Sequence, residues 1–98
     1  MAQVVYSGNA LDNLERVFEF IFEHDPQAAA GAASAICEAV DTLANHPLIG
    51  RTVFGELREL VISYGKTGYI ALYRFLPVQD QVRILAIRHQ RELDYPIE

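Results

Sequence analysis

Residues 57–91 read LRELVISYGKTGYIALYRFLPVQDQVRILAIRHQR, and this stretch sets the architecture of the chain. Three segments of about eight residues in it are rich in Val, Ile, Leu and Tyr, which predicts β-strands. The segments are 57–64, 69–76 and 81–88. Short turns separate them, GKTG at 65–68 and PVQD at 77–80. Because connections this short join antiparallel neighbours, we expect three consecutive antiparallel strands.

The side-chain alternation of these strands predicts which residues share a face. In the last strand Val82, Ile84, Ala86 and Arg88 alternate with Arg83, Leu85 and Ile87. In the middle strand Tyr69, Ala71, Tyr73 and Phe75 alternate with Ile70, Leu72, Arg74 and Leu76. Arg74 therefore lies among aliphatic side chains. It is either a functional residue or a sheet-margin residue paired with an acidic side chain; the candidates are Glu56, Glu59 and Asp80.

The first half of the chain predicts an edge strand and two helices. Residues 2–6 are short and β-branched, and Ser7 or Asn9 can cap the helix that follows. That helix ends near residues 24–25, and apolar residues at spacings of three and four mark one face of it: Leu11, Leu14, Phe18, Ile21 and Phe22. Pro26 suits the first turn of a second helix over 27–45.

These elements predict one α+β domain over residues 1–98. The short connection between the helices makes them an antiparallel α-helical hairpin, and 48–56, with two glycines, reads as a loop. The order is β-α-α-β-β-β, an antiparallel sheet packed on the hairpin with its other face open. That open face is where we expect the arginines to collect.

Charge is distributed unevenly along the chain. Residues 1–50 contain one basic and seven acidic residues, a balance of −6, and residues 51–98 contain seven basic and six acidic residues, a balance of +1. The net charge of −5 argues against a simple nucleic-acid binder. The asymmetry has two interpretations: a surface that faces a polyanion, or a solvated acidic helical face beside an ordinary sheet.

The lone cysteine, Cys37, excludes a disulfide within the chain and a cysteine-based metal site. The N-terminal MAQVVYSGN does not resemble a secretory signal, and no apolar stretch approaches the roughly 20 residues that span a bilayer. We therefore expect a cytoplasmic protein without membrane association, metal or cofactor.

Three segments together resemble the RelE/ParE superfamily of toxins from type II toxin–antitoxin modules, often labelled plasmid stabilisation proteins. They are NHPLIGR at 45–51, LRELV at 57–61, and YIALYR at 69–74 continuing through VRILAIRHQRE at 82–92. Each motif is weak alone, but their order and spacing on the β-α-α-β-β-β pattern cover nearly the whole chain. The resemblance implies a growth-arresting toxin, neutralised by a cognate antitoxin, in a toxin–antitoxin hetero-oligomer or as a homodimer.

Members of this superfamily act in two ways, and both remain open here. RelE-like members cleave mRNA at the ribosome without a metal. The resemblance then implies a catalytic set of Arg74, His89, Arg91 and Tyr95. Two features depart from that branch: Ile70 stands where a basic residue is typical, and Lys66 is the sole lysine.

ParE-like members instead bind DNA gyrase, and the Tyr73-Arg74 pair and residues 88–91 look more like that branch. The resemblance then implies a target-binding surface of Arg51, Arg58, Tyr73, Arg74, Arg88 and Arg91. A third reading is an inactive member that binds only its antitoxin, which the acidic net charge favours. We expect the ParE-like activity.

Overall fold

The structure is a computed structural model that describes residues 1–92 and 94–95; residues 93 and 96–98 of the expected 1–98 domain lie outside the described residues. The helices are α1 (Gly8–Phe22) and α2 (Pro26–Asp41), the latter extended by a 3₁₀ turn (Thr42–Ala44). The strands are β1 (Gln3–Tyr6), β2 (Arg51–Phe54), β3 (Leu57–Tyr64), β4 (Thr67–Leu76) and β5 (Gln81–His89). The predicted α+β fold is confirmed. Neither helix among these residues is long and apolar enough to cross a bilayer.

The five strands form one sheet in the order β1-β5-β4-β3-β2. β3, β4 and β5 are antiparallel, as predicted, but β1 pairs parallel to β5 and makes the sheet mixed. The predicted loop over 48–56 is wrong in its second half, because β2 pairs there with β3. Gly55, at φ +54°, makes the tight turn between β2 and β3 that a residue with a side chain would strain.

Side-chain caps set the starts of both helices. The Ser7 hydroxyl accepts a hydrogen bond from the Ala10 amide at 3.0 Å, so Ser7 is the N-cap of α1. Asp25 caps α2 by accepting from the amides of Gln27 and Ala28 at 3.1 and 3.2 Å. Pro26 is the first residue of α2, which confirms the predicted helical hairpin.

The predicted buried face of α1 is partly wrong. Leu11 and Phe22 are exposed, whereas Ala10 and Asn13 are buried against β5. Ala10 is small and lets α1 approach β5 closely, and the Asn13 side chain accepts a hydrogen bond from the backbone of β5. The contact between α1 and the sheet is therefore centred on Ala10 and Asn13, each next to a larger apolar residue in the sequence.

A β-bulge in β5 overturns the strict alternation predicted for that strand. Leu72 lies opposite Ala86 but Tyr73 lies opposite Ile84, so Leu85 is an extra residue. After the bulge Ile87 points to the helices together with Val82 and Ile84, in the core. Ala86 and Arg88 consequently share the open face with Arg83.

Polar side chains from the start of α1 satisfy the backbone at this bulge. The Ser7 hydroxyl and the Asn9 amide each donate to the Leu85 carbonyl at 3.1 Å, and Asn13 Oδ1 accepts from the Ile87 amide at 2.9 Å. β1 pairs with β5 only as far as Ile84. Beyond Ile84, side chains at the start of α1 therefore supply hydrogen bonds to the β5 backbone where β1 no longer pairs with it.

Candidate functional site

The open face of the sheet carries a cluster of four polar side chains centred on Glu59 of β3. Arg51 donates to Glu59 Oε1 from Nη2 at 2.8 Å and from Nε at 3.1 Å. The Tyr95 hydroxyl donates to Glu59 Oε2 at 2.5 Å, and Arg88 Nη2 lies 3.9 Å from the same oxygen. We call Arg51, Glu59, Arg88 and Tyr95 the Glu59 cluster.

Strand register brings this cluster together. Arg51 lies directly opposite Glu59 in the β2–β3 pair, and Glu59 lies opposite Leu72 of β4. Leu72 in turn lies opposite Ala86, two residues from Arg88 on the same face. Side chains from β2 and β5 therefore meet the carboxylate of Glu59 on β3, and Tyr95, which follows β5 in the chain, also reaches it.

Glu59 is ionised in this setting although it is only 7% exposed. Burial acts to raise the pKa of Glu59, but the hydrogen bonds from Tyr95 and Arg51 and the charges of Arg51 and Arg88 outweigh it. The net result is a pKa below the ordinary value. The carboxylate thus occupies the centre of the site and offsets much of its positive charge.

Tyr95 and Arg88 contact each other directly. The Arg88 guanidinium lies 5.0 Å from the centre of the Tyr95 ring, a cation–π contact. Arg88 Nη1 also donates to the Glu92 carbonyl at 2.6 Å, which orders the chain after β5. Burial raises the pKa of the Tyr95 hydroxyl, and its hydrogen bond to Glu59 raises it further, so Tyr95 retains its proton.

Arg74 lies on the same face, further along β4, and pairs with Glu56 at 3.0 Å. Glu56 was one of the three partners predicted for it. Directly opposite Arg74 in β5 is Arg83, which is exposed and donates to Gln81 Oε1 at 2.8 Å. Two like charges opposite each other destabilise a strand pair, so this basic pair is not a stabilising feature of the sheet.

Arg58 and Tyr73, both predicted to bind the target, lie on the other face of the sheet, towards the helices. Arg58 Nη1 donates to the carbonyls of Leu48 and Gly50 at 3.1 and 2.8 Å. The Tyr73 side chain is fully buried. Its hydroxyl accepts from the Gly50 amide and donates to the Pro47 carbonyl, so Tyr73 packs in the core and presents no surface to a target.

His89 and Arg91 line a groove of about 550 Å³ between α1, the start of β4 and the end of β5. His89 Nδ1 accepts from the Arg91 amide at 3.0 Å, and Nε2 bonds to the Thr67 hydroxyl. Both ring nitrogens are therefore occupied, with the proton assigned to Nε2. The His89 ring also packs edge-on against Tyr69 at 5.4 Å.

The four residues expected for a nuclease are not brought together. Tyr95 points to Glu59 on the open face, Arg74 is bound to Glu56 further along that face, and His89 and Arg91 lie in the groove. Within the described part of the chain, no group of three His, Cys, Asp or Glu side chains could hold a metal ion.

Sequence reasoning missed two residues of the open face. Glu59 was considered only as a partner of Arg74, because glutamate is rarely buried unless it is paired and the motif LRELV does not show which residues pair with it. Strict alternation placed Arg83 and Arg88 on different faces of the sheet, whereas the bulge at Leu85 puts both on the open face. The bulge has no sequence signal of its own.

Comparison with known proteins agrees with this fold. Residues 4–94 match the family described as the ParE toxin of the type II toxin–antitoxin system parDE. Toxin RelE3 of Caulobacter vibrioides is 34% identical over 92 residues, covering 94% of this chain and 98% of the relative. Toxin RelE2 of the same organism is 36% identical over 93 residues, covering 95% and 100%. A chain from the chromosomal ParDE system of P. aeruginosa superposes with a TM-score of 0.75 at 20% identity, covering 91% of this chain and 96% of that chain.

Proposed function

This chain belongs to the ParE toxin family of type II toxin–antitoxin systems, and we propose that it arrests growth by binding DNA gyrase rather than by cleaving RNA. It is the toxin component of such a system. The observation that carries the proposal is the position of Glu59, a buried carboxylate at the centre of the arginine cluster on the open face.

RNA cleavage requires cations that are free to stabilise the developing charge on a phosphate, and a base near the attacking hydroxyl. In the Glu59 cluster the charges of Arg51 and Arg88 are already compensated by a carboxylate. A phosphate bound by these two arginines would lie near the Glu59 carboxylate, whose repulsion would offset part of their attraction. His89 is held through both ring nitrogens and lies away from this cluster.

Binding places different demands on the open face, and Arg74 and Arg83 suit them. Their like charges face each other across β4 and β5, and Glu56, the partner of Arg74, is 78% exposed, so an acidic surface of the target can take its place and relieve the repulsion. Guanidinium groups can bind carboxylates through two parallel hydrogen bonds. Arg74 and Arg83 are therefore the residues of this face that we assign to gyrase contact.

Expression of the chain alone, in the absence of its antitoxin, tests the proposal. We expect growth arrest with an SOS response and intact mRNA, and inhibition of gyrase supercoiling by the purified protein. Arg74→Ala should abolish the arrest, whereas Lys66→Ala, which removes an exposed cation from the β3–β4 turn, should not. Cleaved mRNA at ribosomes with unaffected gyrase would refute the gyrase proposal.

A second candidate is a RelE-like, ribosome-dependent endoribonuclease. The names of the Caulobacter relatives favour it, as does the convergence of Arg51, Arg88 and Tyr95 in one place. If it is correct, Tyr95→Phe should abolish mRNA cleavage in cells while the protein stays folded. Absence of any growth arrest would leave the third candidate, an inactive member that binds only its antitoxin.

A further inference from the structure

The edge of the sheet formed by β2 carries exposed apolar side chains. All four residues of β2 are exposed, and Phe54 is 80% exposed. Five large apolar residues on β2, just before it and on neighbouring β3 are exposed in this way: Leu48, Ile49, Val53, Phe54 and Val61. Exposed apolar residues that collect in one region of a small protein mark an interaction site.

The backbone of β2 is paired on one side only. β2 is last in the order of strands and pairs with β3, and no second strand within residues 1–92 and 94–95 pairs with it. Its sequence RTVF contains neither Lys nor Pro, the residues that commonly protect an open edge. β1, at the opposite edge, differs because Val4 and Tyr6 are half-buried against the core. The outer side of β2 is therefore the edge that can accept another strand.

Two charged residues flank the apolar part of this edge, and each has a polar atom to spare. Arg51 binds Glu59 through Nε and Nη2, and its Nη1 makes no hydrogen bond to the described residues. Glu56 binds Arg74 through Oε2 and remains mostly exposed. The edge therefore has a cation at one end and an anion at the other. It is complementary to a second copy of itself that runs in the opposite direction, because each cation then meets an anion.

We propose that two copies of this chain associate through β2, as antiparallel edge strands related by a two-fold axis. Residues 51–54 of one copy run alongside residues 54–51 of the other, and Val53 and Phe54 pack at the centre. Arg51 of each copy lies diagonal to Glu56 of the second copy, a separation that an arginine side chain spans. The two five-stranded sheets then form one continuous sheet.

A second copy suits this edge better than a partner that carries one sign of charge. Nucleic acid would bind Arg51 but would be repelled by Glu56. The strand is four residues long and has a bulge between Thr52 and Phe54, so the backbone ladder is short. Small interfaces of this kind are transient, and we expect a dissociation constant in the micromolar range. The inference does not depend on the target of the toxin.

Sedimentation equilibrium of the full-length toxin, separated from its antitoxin, tests the inference. The average mass should rise from 11.0 kDa towards twice that value as the protein concentration increases from micromolar to millimolar. Hydrogen exchange of the amides of 51–54 should become slower over the same range, because the partner strand protects them. The amides of 3–6 on β1 should exchange at a rate that does not depend on concentration.

Truncating Phe54 tests the apolar centre of the interface. Phe54→Ala should weaken dimerisation about tenfold or more, since the two-fold axis makes the substitution act twice. Phe20→Ala is the matched control, because Phe20 is an exposed phenylalanine on α1 and should leave the dissociation constant within about twofold. Thermal melting verifies that both variants fold.

Reversing the charge of Glu56 tests the ion pairs. Glu56→Lys places two like charges next to each other at both ends of the interface and should weaken dimerisation about tenfold. The loss should shrink at high salt, because screening weakens the repulsion. Glu38→Lys, on the exposed face of α2, changes the net charge equally and should have an effect below about twofold.

A mass of one chain at every concentration would overturn the inference. So would dimerisation that Phe20→Ala weakens and Phe54→Ala does not, since the contact would then lie on α1. A toxin that is monomeric alone, but loses affinity for its antitoxin in Phe54→Ala, would assign the edge to the antitoxin and refute self-association. The gyrase proposal fails separately, when supercoiling is unaffected while the toxin still dimerises through β2.

Discussion

The Tyr95 hydroxyl donates a hydrogen bond to Glu59 Oε2 at 2.5 Å, and this contact joins the chain beyond β5 to the third strand of the sheet. The same carboxylate receives Arg51 from the neighbouring strand at 2.8 Å. A face that would otherwise present two guanidinium groups to solvent thus has a buried anion at its centre. We therefore expect both the stability of the sheet and its chemistry to depend on Glu59.

Glu59→Gln should lower the free energy of unfolding by about 1–2 kcal/mol, because Arg51 and Tyr95 donate to different carboxylate oxygens and the neutral amide offers them only one acceptor oxygen and no charge. The loss stays moderate since Arg51 is 64% exposed and can be hydrated again. Urea denaturation at pH 7 measures it. Glu56→Gln, which breaks the exposed pair with Arg74, should cost less than about 0.5 kcal/mol; equal losses would contradict a special role for Glu59.

The contribution of Glu59 should depend on pH in acid. Its pKa is lower in the folded protein than its ordinary value of 4.5, so ionised Glu59 stabilises the fold fully above pH 4.5. The contribution is lost as the pH falls through the folded pKa. The difference in unfolding free energy between the unmodified chain and Glu59→Gln should therefore be constant from neutral pH to about pH 5 and shrink below 4.5. If the difference in unfolding free energy instead grows as the pH falls, the pKa of Glu59 is raised by folding and not lowered.

Tyr73→Phe should destabilise the protein without affecting any surface. The variant keeps the ring in the core but leaves the Gly50 amide and the Pro47 carbonyl without their hydroxyl partner. We expect a loss of about 1–3 kcal/mol, and a melting temperature lower by about 4–8 °C for each kcal/mol. If growth arrest disappears while the melting temperature is unchanged, Tyr73 contacts the target after all.

Asn13→Leu should be among the more damaging polar substitutions. Its Oδ1 accepts a hydrogen bond from the buried Ile87 amide at 2.9 Å, and leucine of similar size leaves that amide unsatisfied. The expected loss is about 1–3 kcal/mol in urea denaturation. Asn9→Ala should cost less, because the Ser7 hydroxyl still donates to the Leu85 carbonyl. Similar losses in the two variants would argue against this account of the bulge.

Local features of the chain predicted most of the fold. The turns predicted at 65–68 and 77–80 are too short for anything but antiparallel neighbours, although β4 begins at Thr67 rather than at the predicted residue 69. Pro26 marks the start of α2. Such signals act between residues adjacent in sequence, so they can be read without knowledge of the rest of the chain. The motifs at 45–51, 57–61 and 69–92 likewise pointed to the toxin family that the comparisons confirm.

The site could be predicted only in part, because its residues meet through strand register. Arg51, Arg88 and Tyr95 were expected to matter, but as free cations and a free hydroxyl. In the structure all three converge on Glu59. Register depends on which strands pair and on where an extra residue interrupts the ladder, and neither is a local property.

What followed from sequence alone is therefore the set of elements apart from β2, their antiparallel order after residue 57, and membership of the toxin superfamily. What required the tertiary structure is the parallel pairing of β1 with β5, the bulge at Leu85, the Glu59 carboxylate among the arginines and the groove beside α1. The physical reason is that propensity and turn chemistry act over a few residues. Pairing partners, burial and charge compensation instead arise from contacts between segments as far apart in sequence as Asn13 and Ile87.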